Sequence, residues 1–288
     1  MSNRLAPQAR NAYIPAMTAF LKMHGLGNDF VVFDARNSGL ALSPDRAKAI
    51  ADRRLGVGCD QVIVIRAGGP AADADMQIFN ADGGEVESCG NAARCVARLL
   101  MDETGKNEIR ISTQGGPLVC TDAGGGDVTV DMGAPEFAWD KTPLARAADT
   151  NAFTLNVDGA DYNVAALSVG NPHCILFVGD AGTDAVYDIG PKIERHPMFP
   201  ERVNVEFVTA LSPSRLRMRV WERGAGVTLA CGTGACAVAV AAARRGLTGR
   251  DVDIVLDGGT LHIEWRKSDN HILMTGPATL VFKGELAL

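Results

Sequence analysis

Cys89-Gly90-Asn91-Ala92-Ala93-Arg94-Cys95 opens the stretch CGNAARCVARLLMDETG (89–105), and Cys231-Gly232-Thr233-Gly234-Ala235-Cys236-Ala237 opens CGTGACAVAVAAARRG (231–246). Each begins an apolar helix through a Cys-Gly step, and the two steps lie 142 residues apart. The spacing recurs along the chain. Asn28 falls over Asn171, Gln61 over Asn204, Gly115-Gly116-Pro117-Leu118 over Gly258-Gly259-Thr260-Leu261, and Pro135 over Pro277, in order and with a drift of one residue. Ordered anchors of this kind describe two copies of one fold, each of about 140 residues, a period too long for a solenoid or a propeller blade.

Within each copy, short runs rich in β-branched and aromatic residues precede the helix and more strands follow it, so the fold class is α+β. Strands are expected at Leu21 to Met23, Phe30 to Asp34, Val62 to Arg66 and Asp75 to Asn80. The first helix should run from Cys89 to about Glu103 and stop at Gly105, a normal C-terminal signal. Its partner, from Cys231 to near Gly246, carries an almost unbroken small-apolar surface and should be buried nearly all round. Pro44 to Leu55 reads as a shorter helix, Pro191 to His196 as a loop, and Gly133 to Asn151 as the connection between halves. The expected architecture is two pseudo-symmetric homologous domains, each a mixed β-sheet wrapped around a central buried helix, with the active site in the cleft between them. Residues 1–17 read as a loose extension, with Met17 a candidate start. Residues 18–134, completed by 277–288, form the first domain, and 135–276 the second.

A net charge of −6 and a pI near 5.4 argue against nucleic acid or an anionic membrane as partner, since either favours a basic face. No apolar run approaches the roughly 20 residues of a bilayer span, and the N-terminus lacks a continuous hydrophobic signal core, so a cytoplasmic protein is expected. Seven cysteines without a CxxC pair fit neither a secreted disulfide framework nor a zinc ribbon. No metal site is expected. Cys59, Cys95, Cys120, Cys174 and Cys236 read as small core fillers.

Cys89 and Cys231 read differently because of where they sit. A thiol at the first turn of a helix faces unpaired backbone N–H groups and the positive end of the macrodipole, which should lower its pKa below the ordinary value of about 8.5. The same N–H groups, unobstructed at Gly90 and Gly232, can receive a carboxylate or oxyanion. If the halves pack about a pseudo-twofold axis, both helix ends point into one cleft. A substrate there would have a sulfur on each face, the arrangement needed to invert a carbon acid: a thiolate takes the proton from one side and a thiol returns one from the other.

Around these cysteines, HGLGNDF (24–30), GCDQ (58–61), FNADGGEVESCGNAARC (79–95), GNPHC (170–174), RVNVEF (202–207) and ERGAGVTLACGTGACA (222–237) resemble the diaminopimelate epimerase family. The resemblance covers the chain from about Lys22 to Gly284. It implies a two-domain, typically dimeric enzyme that interconverts LL- and meso-diaminopimelate without pyridoxal phosphate or any other cofactor, in lysine and peptidoglycan precursor synthesis. Residue by residue it makes Cys89 and Cys231 the catalytic acid and base. It assigns substrate binding to Asn28, Gln61, Asn80, Gly90, Asn91, Asn171, Asn204, Glu222, Arg223, Gly232 and Thr233, and places His173 and Glu222 where they tune the sulfurs. Asn80, Glu222 and Arg223 would hold the distal amino-acid end, Arg223 gripping its carboxylate in a bidentate pair. One departure from the family pattern is Ala92 in place of glycine, which a helix interior favours by about 1 kcal/mol.

Three alternatives compete. Related proline or hydroxyproline racemases typically carry histidine after the first Cys-Gly, where this chain has Asn91. A thiol redox switch would use the same pair of cysteines as dithiol and disulfide. A binding module would keep the cleft without turnover. Gly232-Thr-Gly-Ala-Cys-Ala also fits a dinucleotide fingerprint, but a loop separates it from the preceding strand and only some fifty residues remain for the rest of such a unit. No P-loop motif occurs.

Overall fold

The computed structural model describes residues 17–288, so the extension read over residues 1–17 lies outside the described residues except for Met17, which begins the first strand. The first half runs β1 (Met17–Gly25), β2 (Asn28–Asp34), α1 (Pro44–Ala51), β3 (Gln61–Ala67), β4 (Ala74–Asn80), α2 (Gly90–Thr104), β5 (Glu108–Thr113), β6 (Gly116–Gly124) and β7 (Asp127–Asp131). The second runs β8 (Phe153–Val157), β9 (Ala160–Ser168), β10 (Pro172–Phe177), α3 (Ala185–Glu194), β11 (Asn204–Ser212), β12 (Arg215–Glu222) and β13 (Gly226–Val227). It continues through α4 (Gly232–Arg244), β14 (Asp251–Leu256), β15 (Gly259–Trp265), β16 (Ile272–Pro277) and β17 (Thr279–Ala287).

The strand pairings repeat as the sequence does. β1–β2, β3–β4, β5–β6 and β6–β7 are antiparallel, while β2–β3 and β4–β5 are parallel. The second half reproduces this through β9–β10, β11–β12, β14–β15 and β15–β16 antiparallel, with β10–β11 and β12–β14 parallel. β7 pairs antiparallel with β16 and so joins the halves. β17 lies antiparallel on β1 as β8 lies on β9, which places the C-terminal strand beside the first half.

Hydrophobic burial explains the layering. In β2, Phe30 and Val32 face one core with α2, and Val31 and Phe33 face a second with α1, so the strand reads as an unbroken apolar run. α4 is buried from Gly232 through Ala242 apart from Thr233, and its alanines let the surrounding strands approach closely. α2 ends where Gly105 adopts a left-handed φ of 71° and its N–H returns to the Met101 carbonyl.

One expectation fails. The stretch from Pro191 to His196 is not simply a loop, because α3 extends from Ala185 to Glu194 with Pro191 inside it. Burial of Val186 and Ile193 against Phe207 and neighbouring residues outweighs the helix-breaking tendency of Gly190-Pro191. Gly190 is itself required there, since a Cβ would lie 2.7 Å from Trp221 Cβ. Gly133 to Asn151 holds no named helix or strand and links β7 to β8.

Candidate active site

Both cysteines are helix N-caps in extended conformation, Cys89 at φ −149° and Cys231 at φ −122°. The two helix starts converge on Met274 of β16. A Cβ at Gly90 would lie 2.6 Å from Met274 Cε, and one at Gly232 would lie 2.9 Å from Met274 Sδ and 3.1 Å from Asn91 Oδ1. Glycine leaves room for both approaches, and a side chain at either position would require Met274 to move.

The sulfurs are not equivalent. Cys231 is buried; its Sγ accepts from the Gly234 N–H at 3.4 Å and contacts Thr233 Oγ1 at 3.6 Å. Cys89 is half-buried, and the N–H groups of Asn91 and Ala92 face its sulfur without closing a cap hydrogen bond. Burial pushes both thiols up rather than down, and Glu222 adds to the shift at each while Glu206 adds to it at Cys231. The expected lowering is therefore overturned. Helix-end N–H groups and, at Cys89, the Arg94 guanidinium act in the expected direction, but removing a thiolate from water costs more than they return. Glu222 is likewise held above the ordinary carboxylate range, first by burial, with the Thr228 hydroxyl opposing through a hydrogen bond.

The expected binding residues gather in two related groups. In the first half, Asn91 Nδ2 donates to Asn28 Oδ1 at 3.1 Å, Asn28 Nδ2 donates to Asp60 Oδ2 at 3.0 Å, and Gln61 Nε2 donates to Asn80 Oδ1 at 2.9 Å. In the second, Asn171 Nδ2 donates to Thr233 Oγ1 at 3.3 Å, and Asn204 accepts from the Arg223 N–H at 2.9 Å while donating to the Pro172 carbonyl. Arg223 is exposed and its guanidinium donates to the Glu201 carbonyl. His173 makes no hydrogen bond to a sulfur; its ring nitrogens face Glu206 Oε1 at 2.6 Å and Asn171 Oδ1 at 2.9 Å.

Two charged residues went unassigned in the sequence. Glu206 and Arg94 are both fully buried beside the helix starts, Arg94 donating to the Pro277 carbonyl. Each is a charge set within an otherwise apolar stretch, in NVEF and in NAARCV, and that mismatch was the available signal.

A cavity of about 620 Å³ lies between the halves, walled by Gly27, Asn28, Arg53 and Asp60 on one side and by Trp221, Thr228 and Leu229 on the other. At its edge Leu229 packs over Gly27, and the Leu26 carbonyl sits against Gly258. Among the described residues, no group of histidine, cysteine and acidic side chains could hold a metal ion, and no helix is long and apolar enough to cross a membrane.

A family model described as diaminopimelate epimerase matches residues 20–138 and 165–281. A diaminopimelate epimerase of Acidiphilium cryptum is 54% identical over 94% of this chain and 97% of its own, and one of Rhodospirillum centenum is 51% identical over 93% and 92%. In fold, a crystal structure of a hydroxyproline epimerase from Agrobacterium vitis superposes with a TM-score of 0.67 at 16% identity, covering 94% of this chain and 93% of that one.

Proposed function

The chain belongs to the diaminopimelate epimerase family, and from that premise we propose that Cys89 and Cys231 are the two bases through which it interconverts LL- and meso-diaminopimelate. It is an isomerase, and its substrate is a small molecule. The observation that carries the residue assignment is the meeting of two Cys-capped helix starts across Met274.

In this reading a thiolate breaks the Cα–H bond and becomes a thiol, while the electron pair passes into the carboxylate. The opposite thiol then delivers its proton to the other face of Cα and becomes the thiolate. The carbon acid is many units weaker than a thiol, at about 1.4 kcal/mol per unit. N–H groups at the two helix starts stabilise the enolate-like oxygen, and exclusion of water strengthens that contact. Burial that raises both thiols has a counterpart in the substrate, whose α-ammonium brings positive charge beside the sulfurs. All of these steps are assigned to the chain's own groups, without a cofactor. His173 and Glu222 tune the sulfurs. Asn28, Gln61, Asn80, Gly90, Asn91, Asn171, Asn204, Glu222, Arg223, Gly232 and Thr233 bind substrate, with Asn80, Glu222 and Arg223 at its distal end.

The domains of this reading are 18–134 completed by 277–288, and 135–276, supported by the pairing of β17 with β1. A homodimer is supported by exposed Leu280, Val281 and Phe282 on β17, which pairs with β1 alone among the described strands. The net charge of −6 supports an enzyme without a nucleic-acid partner, and the lack of a continuous hydrophobic signal core supports a cytoplasmic one. The test is proton NMR of the reduced protein with LL-diaminopimelate and, separately, with proline. Appearance of the meso isomer, absent in Cys89→Ala and Cys231→Ala variants that keep their fold, is the expected result. Turnover of proline alone, or wild-type rates in either variant, would overturn the assignment.

A further inference from the structure

The two halves use matching positions for different chemistry beneath their helices. His173 and Glu206 occupy the places that Phe30 and Ile63 hold in the first half, as the matched pairs Asn28/Asn171 and Gln61/Asn204 require. All four side chains are fully buried. An apolar pair therefore suffices to pack this position, and a buried ion pair there is often no more stable than its hydrophobic replacement. Packing does not account for it.

The hydrogen bonds show what the pair does. Glu206 Oε1 faces His173 Nδ1 at 2.6 Å, His173 Nε2 faces Asn171 Oδ1 at 2.9 Å, Asn171 Nδ2 donates to Thr233 Oγ1, and Thr233 Oγ1 contacts Cys231 Sγ. A ring with an acceptor oxygen at each nitrogen is satisfied as the doubly protonated imidazolium. With Asn171 donating to its oxygen, the Thr233 hydroxyl hydrogen is free to point at the sulfur. The corresponding chain in the first half runs the other way, from Asn91 through Asn28 to the Asp60 carboxylate, and Asn91 offers no hydroxyl. Gly234 completes the arrangement, since a Cβ there would lie 2.9 Å from Glu206 Oε1 and 3.2 Å from Cys231 Sγ.

We propose that Glu206 is a positioning residue for proton transfer at Cys231: its carboxylate keeps His173 doubly protonated, and Asn171 and Thr233 carry that polarity to the sulfur as a hydroxyl donor. A neutral His173 that kept only its Nδ1 proton would let Asn171 and Thr233 reverse their donors and leave Cys231 facing an acceptor. The proposal rests on the reading of Cys231 as an acid–base group. It gives the halves distinct roles, since Cys231 has a built donor to its thiolate and Cys89 relies on backbone N–H groups.

The experiment is nitrogen-15 NMR of the His173 imidazole in the wild-type protein, together with steady-state kinetics of Glu206→Gln. Both ring nitrogens should be protonated at neutral pH, and an unprotonated Nε2 would overturn the proposal whatever the enzyme's activity. In Glu206→Gln the ring should lose one proton, and kcat should fall by roughly tenfold or more while KM stays within about twofold. If that variant does not fold, the double variant His173→Phe/Glu206→Ile, which copies the first half's packing, should lose no more activity than His173→Phe alone. Full kcat in Glu206→Gln, or a loss in the double variant clearly beyond that of His173→Phe alone, would overturn the relay while leaving epimerisation by the wild type intact. Absence of wild-type turnover would instead remove the function, and the imidazole spectrum would still decide the relay.

Discussion

At the scale of single residues, the two cysteines are governed by opposed influences of unequal size. The helix start favours thiolate through N–H groups, and burial disfavours it more strongly, so both thiols are pushed up from their ordinary value. The positions of these cysteines were legible in the sequence because a Cys-Gly step before an apolar run, twice at one spacing, has few other readings. Their protonation was not, because it depends on how much water the folded cleft admits and on Glu206 and Glu222, which approach only through strand pairing. Glu206 and Arg94 each stand as a single charge among apolar residues, in NVEF and in NAARCV. What hid their importance was that a single charge in an apolar run is indistinguishable from a strand or helix position that turns outward. Asn28, Asn91, Asn171 and Thr233 were legible as candidates, but their hydrogen-bond directions come from the fold alone.

Among the elements, α4 shows how a helix can be made to fit by subtraction. Its interior positions are glycine, alanine, cysteine and valine, and Ala235 through Ala242 are buried against strands of the second half. Ala237→Leu should therefore overpack the core and destabilise the protein by about 1–3 kcal/mol, read as a lowered urea midpoint with an unchanged slope. An unchanged midpoint would show a void that the packing does not reveal. Both long helices were predictable because their signals are local: a cysteine start, an apolar surface and a glycine end. α3 was missed because its local signal, Gly190-Pro191, opposes its tertiary fate. Its match to α1 in the first half is the cue that locates it, for an element present in one copy is expected in the other.

For the whole molecule, duplication builds two like frameworks, and the β7–β16 pair makes them one sheet network. The ordered anchors made the duplication readable. The position of β17 on β1 was readable only as an expectation, because a strand's partner is chosen by which edge remains unpaired. One global consequence follows from the thiols. Burial holds Cys59 at about 11, Cys95, Cys120 and Cys236 at about 12, and also raises Cys89, Cys174 and Cys231. The folded state keeps these protons at a pH where the unfolded chain has released them, so rising pH favours unfolding. Stability should be unaffected by them at neutral pH and decline above about pH 9, by roughly 1 kcal/mol per thiol for each pH unit until its folded value is reached. Urea midpoints of reduced protein between neutral pH and pH 10.5 measure this, and a flat profile would contradict it.

The central claim, that two thiols on opposite faces of one carbon share the reaction, is tested most directly by isotope incorporation at early times. Reduced protein would be mixed with LL-diaminopimelate in deuterium oxide, and both isomers recovered before equilibrium. Two bases predict deuterium at the inverted α-carbon of the meso product and none in the remaining LL substrate. Deuterium entering recovered LL substrate faster than meso product forms, or meso product that keeps its original proton, would contradict it.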